Sequence, residues 1–186
     1  AAYYSFNREK HVIENIEPSA SRILIGMDFN VDPMCAVCAI KRGSKIFIFD
    51  EIYLRNSNTE RMAEVIKQKF NGCEVSVYPD MTGINRKSAA AIGITDISIL
   101  KKAGFHIVGS RNKFVRDSLN TVNAAFAKNE VFICEKCKHL IRDLEQVITD
   151  EQGEIQKAKN AMLTHISDAM RYLIDREKPM HERKRF

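Results

Sequence analysis

Three aspartates sit where packing offers them nothing and a cation would. Asp28 closes the run Arg22–Ile23–Leu24–Ile25–Gly26–Met27–Asp28, whose β-branched and apolar residues predict a buried strand. Strand alternation puts Leu24, Gly26 and Asp28 on one face, and a glycine there lets another chain approach closely. Asp80 ends a second such run, Val75–Ser76–Val77–Tyr78–Pro79. Asp168 lies at the edge of a helical stripe formed by Leu163, Ile166, Met170, Leu173 and Ile174. A carboxylate at that edge is costly unless it is paired or bound to a metal. Its simplest use is an ion pair with Arg171. His165, three residues earlier, shares its side of the helix. If the strands ending in Asp28 and Asp80 are neighbours, their carboxylates repel, and a divalent cation resolves the conflict. A helix packed across the sheet then delivers Asp168 as a third ligand. Oxygen donors of this kind suit magnesium or manganese rather than zinc.

The elements that must position these groups follow in chain order. Residues 1–21 mix Tyr3, Tyr4 and Phe6 with charge and end in Pro18–Ser19–Ala20–Ser21, which predicts a connecting arm. Strands over 22–29, 34–40 and 45–53, separated by short turns, predict an antiparallel meander. A helix capped by Asn58 or Thr59 runs to Asn71, and Gly72 ends it. It leads into a strand over 74–80, which a right-handed crossover sets parallel to the first. The pattern continues as a short helix from Thr95 to Ala103, a strand over 105–108 and a helix over 113–128. A brief extended piece at 131–133 and a helix over 136–148 come next. A polar, hairpin-like turn around Gly153, free to lie over the site and gate access, precedes the anchor helix over 160–176.

A chain of 186 residues fits one domain with a full core. No apolar run has the length of a membrane span and no signal-peptide pattern opens the chain, so no membrane partner is expected. The formal charge of +5 favours an anionic partner. The pairs Cys35-x-x-Cys38 and Cys134-x-x-Cys137 imitate a four-cysteine zinc pattern. Cys35 and Cys38, three apart on a strand, face opposite sides, while Cys134 and Cys137, where a strand meets a helix with His139 following, could form a half-site; buried apolar thiols are the expectation. A zinc-stabilised interaction domain is the rival reading.

The segments Gly26–Met27–Asp28–Phe29–Asn30–Val31–Asp32–Pro33, Tyr78–Pro79–Asp80–Met81–Thr82–Gly83 and His165–Ile166–Ser167–Asp168–Ala169–Met170–Arg171–Tyr172 together resemble the nuclease domain of phage terminase large subunits. The resemblance spans about 22–174. It implies a ribonuclease-H-like α/β fold, a mixed five-stranded sheet of meander and parallel strands flanked by helices. It divides the chain into an arm (1–21) leading from an absent N-terminal ATPase domain, a nuclease domain (22–176) and a basic tail (177–186).

The resemblance also implies an activity, the metal-dependent cleavage of double-stranded DNA during viral genome packaging. Asp28, Asp80 and Asp168 would hold two divalent cations, Mg2+ or Mn2+, for two-metal hydrolysis. His165 would act as a proton shuttle or as a partner of the metal ligands. Asn30 and Asp32 orient water or Asp28, or else simply shape the turn, and Glu51 or Glu60 is a guess at a fourth carboxylate. Arg86, Lys87, Arg111, Lys113 and Arg116 are the candidate phosphate contacts. The expected partners are duplex DNA, the ATPase domain, the terminase small subunit and the portal, in the host cytoplasm during virion assembly. A junction resolvase or transposase-like nuclease of the same fold and a catalytically silent DNA-binding module of the motor remain alternatives.

Overall fold

The computed structural model describes residues 1–81, 95–109, 114–156 and 162–179. Strands β2 (Arg22–Asp28), β3 (Met34–Arg42) and β4 (Lys45–Leu54) form the expected antiparallel meander. Helix α2 (Thr59–Lys69), capped by the Asn58 side chain on Arg61 N at 2.8 Å, buries Met62, Ala63 and Ile66. It returns the chain to β5 (Glu74–Pro79), parallel to β2. A capping box between Thr95 and Ser98 starts α3 (Asp96–Lys102), which leads to β6 (His106–Ile107), parallel to β5.

Among the described residues the sheet has seven strands, not five. Near the N-terminus, α1 (Arg8–His11) is followed by β1 (Val12–Ile13). After α4 (Val115–Ala127), the expected extended piece is a true strand, β7 (Val131–Cys134). β7 pairs parallel to both β1 and β4, giving the order β1-β7-β4-β3-β2-β5-β6. The first residues are thus built into the body, with Ala2, Tyr3, His11 and Ile16 buried. Helices α5 (Lys138–Gln146) and α6 (His165–Glu177) complete the described fold.

Helix α6 packs against β2, β3 and β5 as well as α4 and α5, and buries Ile166, Met170, Leu173 and Ile174 completely. Its approach to β2 depends on Gly26. A Cβ at that position would fall 2.2 Å from the Ala169 carbonyl oxygen. The missing side chain lets helix backbone rest directly on strand backbone.

All five cysteines are free. Burial pushes the thiols of Cys35, Cys38 and Cys137 well above their usual range, which keeps them protonated and apolar, unlike zinc-ligating thiolates. No helix among the described residues is long and apolar enough to cross a membrane.

Candidate metal centre

The parallel register pairs Met27 with Pro79, and Asp80 N donates to Met27 O at 3.1 Å. Asp28 and Asp80 therefore leave adjacent strands side by side, both largely buried. The first turn of α6 crosses the same end of the sheet. His165 Nδ1 lies 3.0 Å from Asp28 Oδ2, and Asp168 Oδ1 accepts from Arg171 Nη2 at 3.1 Å. The ion pair between Asp168 and Arg171 thus exists, and it stands within the field of Asp28.

The electrostatics mark the cluster as crowded. Burial pushes the Asp168 carboxyl up to about 6, against the pull of Arg171 and with the push of Asp28. Tyr172 reports the same field. Burial raises its phenol first, and Asp168, Asp80 and Asp28 all add to the rise. One ring therefore senses all three carboxylates. Among the described residues, no group of three or more His, Cys, Asp or Glu side chains is arranged to hold a metal ion as it stands. Asp28 is engaged by His165 and Asp168 by Arg171, so both must turn from those partners to share a cation.

The raised Asp168 pKa has a consequence for stability in a chelator. Unfolded, this carboxyl titrates near 3.8; folded, near 6. The folded state therefore binds the proton more tightly, and this contribution is present below pH 3.8 and lost as pH rises through about 6. Denaturant unfolding in EDTA should lose on the order of 3 kcal/mol from this group between acid and neutral pH. Asp168→Asn should lack that component. If the difference between wild type and variant does not change with pH, the assignment is wrong.

Helix α6 is aimed by a carboxylate that the sequence did not flag. Thr164, just before the helix, has a left-handed φ of 81°. Asp143 on α5, fully buried, accepts from Thr164 N at 2.9 Å and Ser167 N at 3.3 Å through Oδ2. It thereby supplies the cap that Thr164 does not. Burial pushes the Asp143 carboxyl up, against the Ser167 backbone bond and Arg142. Helix α5 is seated in the same manner. Glu51 on β4 accepts from His139 N at 3.0 Å, Leu140 N at 2.9 Å and the His139 ring at 2.8 Å.

Glu51 is accordingly a helix cap rather than a fourth metal ligand, and Glu60 is exposed on the first turn of α2. Asn30 and Asp32 serve the turn. Asn30 Nδ2 donates to Pro33 O at 3.0 Å, while Asp32 accepts from Arg55 Nε at 2.5 Å and Asn56 N at 3.2 Å. The Arg55 bond holds the Asp32 carboxyl below its usual range. Arg86, Lys87, Arg111 and Lys113 lie outside the described residues. Arg116 is exposed on α4, with its Cδ 3.3 Å from where a Gly153 Cβ would stand. The polar turn, closed by a Thr149–Ile155 bridge, thus lies against the start of α4.

A family model described as a terminase RNaseH-like domain matches residues 25–177. No curated protein matches the chain. Among solved structures it is similar to the large terminase of a thermophilic bacteriophage in complex with ADP. That match is 16% identical with a TM-score of 0.75, covering 94% of this chain and 44% of that one. The P22 large terminase nuclease domain matches at 13% identity and a TM-score of 0.70, covering 91% and 89%. The large terminase nuclease domain of bacteriophage SPP1, solved with bound Mn, matches at 20% identity and a TM-score of 0.59, covering 89% and 95%. The chain spans less than half the length of the ADP-bound large terminase.

Proposed function

The chain belongs to the terminase RNaseH-like domain family, and from that premise we propose that it is a divalent-metal-dependent endonuclease acting on double-stranded DNA during viral genome packaging. The observation that carries this reading is the convergence of Asp28, Asp80 and the Asp168/His165 turn at one end of the sheet.

The donor set fits hard divalent cations: three carboxylates, one held above its usual pKa and so in need of positive charge, and no nearby reactive thiolate. Asp28, Asp80 and Asp168 would hold two ions, Mg2+ or Mn2+. Bound there, the ions would supply Lewis acidity for phosphodiester hydrolysis, favouring attack by water and departure of the 3′ oxygen. His165 holds Asp28 and offers an imidazole able to carry a proton at the edge of the cluster. Arg171 neutralises Asp168 and orients it. Exposed Arg116 is the described candidate for a phosphate contact, with Arg86, Lys87, Arg111 and Lys113 as its proposed companions. Manganese in the SPP1 nuclease domain supports the metal assignment.

The thermophilic phage's large terminase, more than twice as long and solved with ADP, supports an ATPase domain joined through residues 1–21. On this reading 22–176 is the nuclease and 177–186 a basic tail. The small subunit and portal are its partners in the host cytoplasm during virion assembly.

Supercoiled plasmid incubated with the chain and Mn2+ or Mg2+ should be nicked and linearised, and EDTA should stop both. Asp80→Asn should remove the activity. A chain that binds plasmid with steep salt dependence yet never cuts would mark a silent packaging module instead.

A further inference from the structure

The N-terminal segment reaches behind the carboxylate cluster. Ala2 N donates to Val147 O at 2.8 Å, Asn123 Nδ2 donates to Ala2 O at 2.9 Å, and Ser5 N donates to Asn123 Oδ1 at 3.0 Å. The segment is therefore fastened to α4 and to the end of α5 on either side of Tyr3. Tyr3 is 1% exposed; its phenol lies in the field of Asp168, Arg171 and Asp143, with the Ser167 hydroxyl beside it as a neighbour able to bond it.

Two polar atoms in this pocket are buried without a hydrogen-bond partner, Tyr3 Oη and Arg171 Nε. Buried groups left in this state are uncommon and ask for an explanation. The remainder of the guanidinium is used: Nη1 donates to Ser118 Oγ at 2.6 Å and Nη2 to Asp168 Oδ1 at 3.1 Å. The two orphans are complementary, since Nε–H can only donate and a phenol oxygen can accept while its proton goes elsewhere. Ser167 Oγ is suited to take that proton, because its own proton is committed to Thr164 O at 3.1 Å.

We infer that Tyr3 is a positioning residue for the carboxylate cluster: its hydroxyl is the reserve acceptor for Arg171, so that Asp168 can turn to a cation without stranding a buried guanidinium. The inference rests on the carboxylate reading of the site. In the cation-free chain Arg171 relies on Asp168. When Asp168 is drawn toward Asp28 and Asp80, Tyr3 Oη accepts a hydrogen bond from Nε–H and donates its own to Ser167. Tyr3 thereby sets how readily α6 yields a ligand.

The test is calorimetric titration of MnCl2 into the metal-free chain, with melting in EDTA alongside, for wild type, Tyr3→Phe and Asp28→Asn. Tyr3→Phe keeps the ring and should weaken manganese binding about tenfold, as loss of a partner behind a metal ligand does. Its melting temperature in EDTA should stay close to that of wild type, because the hydroxyl makes no hydrogen bond to Arg171 there. A merely structural role would lower the melting temperature and spare the affinity, which overturns the inference. Unchanged affinity in Tyr3→Phe, with binding lost in Asp28→Asn, also overturns it and leaves the metal centre standing. Wild type that binds no manganese removes the centre and the inference together.

Discussion

Asp28→Asn is expected to lower metal-dependent plasmid cleavage by at least about a thousandfold while leaving the fold intact. The amide occupies the same volume at the end of β2 and can still hydrogen-bond the His165 ring. What it lacks is the negative charge shared between cations. A bound metal contributes several kcal/mol of charge stabilisation in phosphoryl chemistry. Each factor of ten in rate corresponds to about 1.4 kcal/mol, so losing a shared ligand removes roughly three powers of ten. Circular dichroism and EDTA melting should be close to wild type, since Asp28 lies among other carboxylates whose repulsion the substitution relieves. Equal cutting by variant and wild type would point to a contaminating nuclease and end the catalytic assignment.

Gly26→Ala should have the largest effect of any single methyl. The new Cβ would lie 2.2 Å from Ala169 O, 3.0 Å from Ala169 C and 3.0 Å from Val37 Cγ2. Two of these neighbours are helix backbone, which cannot rotate aside as a long side chain can. Helix α6 must shift by about an ångström, and overpacking of this kind costs about 2–3 kcal/mol. In a chain of this size that lowers the melting temperature by roughly 5–10 °C. Asp168 is the residue before Ala169, so the same shift misplaces a proposed ligand, and an ångström of misplacement costs about a hundredfold in rate. A variant that melts and cuts like wild type would mean that α6 does not rest on Gly26.

Cleavage and stability are thus expected to fail together at Gly26, and cleavage alone at Asp28. That contrast reflects how much of the site was readable from sequence. The meander, the parallel β2/β5 pair and the three strand-end or helix-edge aspartates were readable because each is written locally, in alternation, periodicity and a terminal charge. β7 and β1 were not. Val131–Cys134 is short, and Val12–Ile13 is a two-residue strand paired with β7. Neither carries a period long enough to count.

The supporting polar groups were missed for a different reason. Asp143 caps a helix 21 residues away, Glu51 caps one 88 residues away, and Ser118 meets Arg171 from 53 residues away. Such bonds leave no pattern in neighbouring residues, because each is decided by how two packed elements face one another. Asn30 and Asp32 show the converse. They stand beside Asp28 in sequence, yet their side chains are used by the turn itself.

The contact between His165 and Asp28 joins residues 137 positions apart. At bacterial rates of synthesis, on the order of ten seconds separate the emergence of its two halves. During that interval the sheet's first strands can pair, but they present a lone carboxylate end with no helix across it. The carboxylate cluster is therefore completed only when α6 docks, and on the proposed reading a nascent or truncated chain lacking that helix has neither Asp168 nor His165 and should not cut DNA.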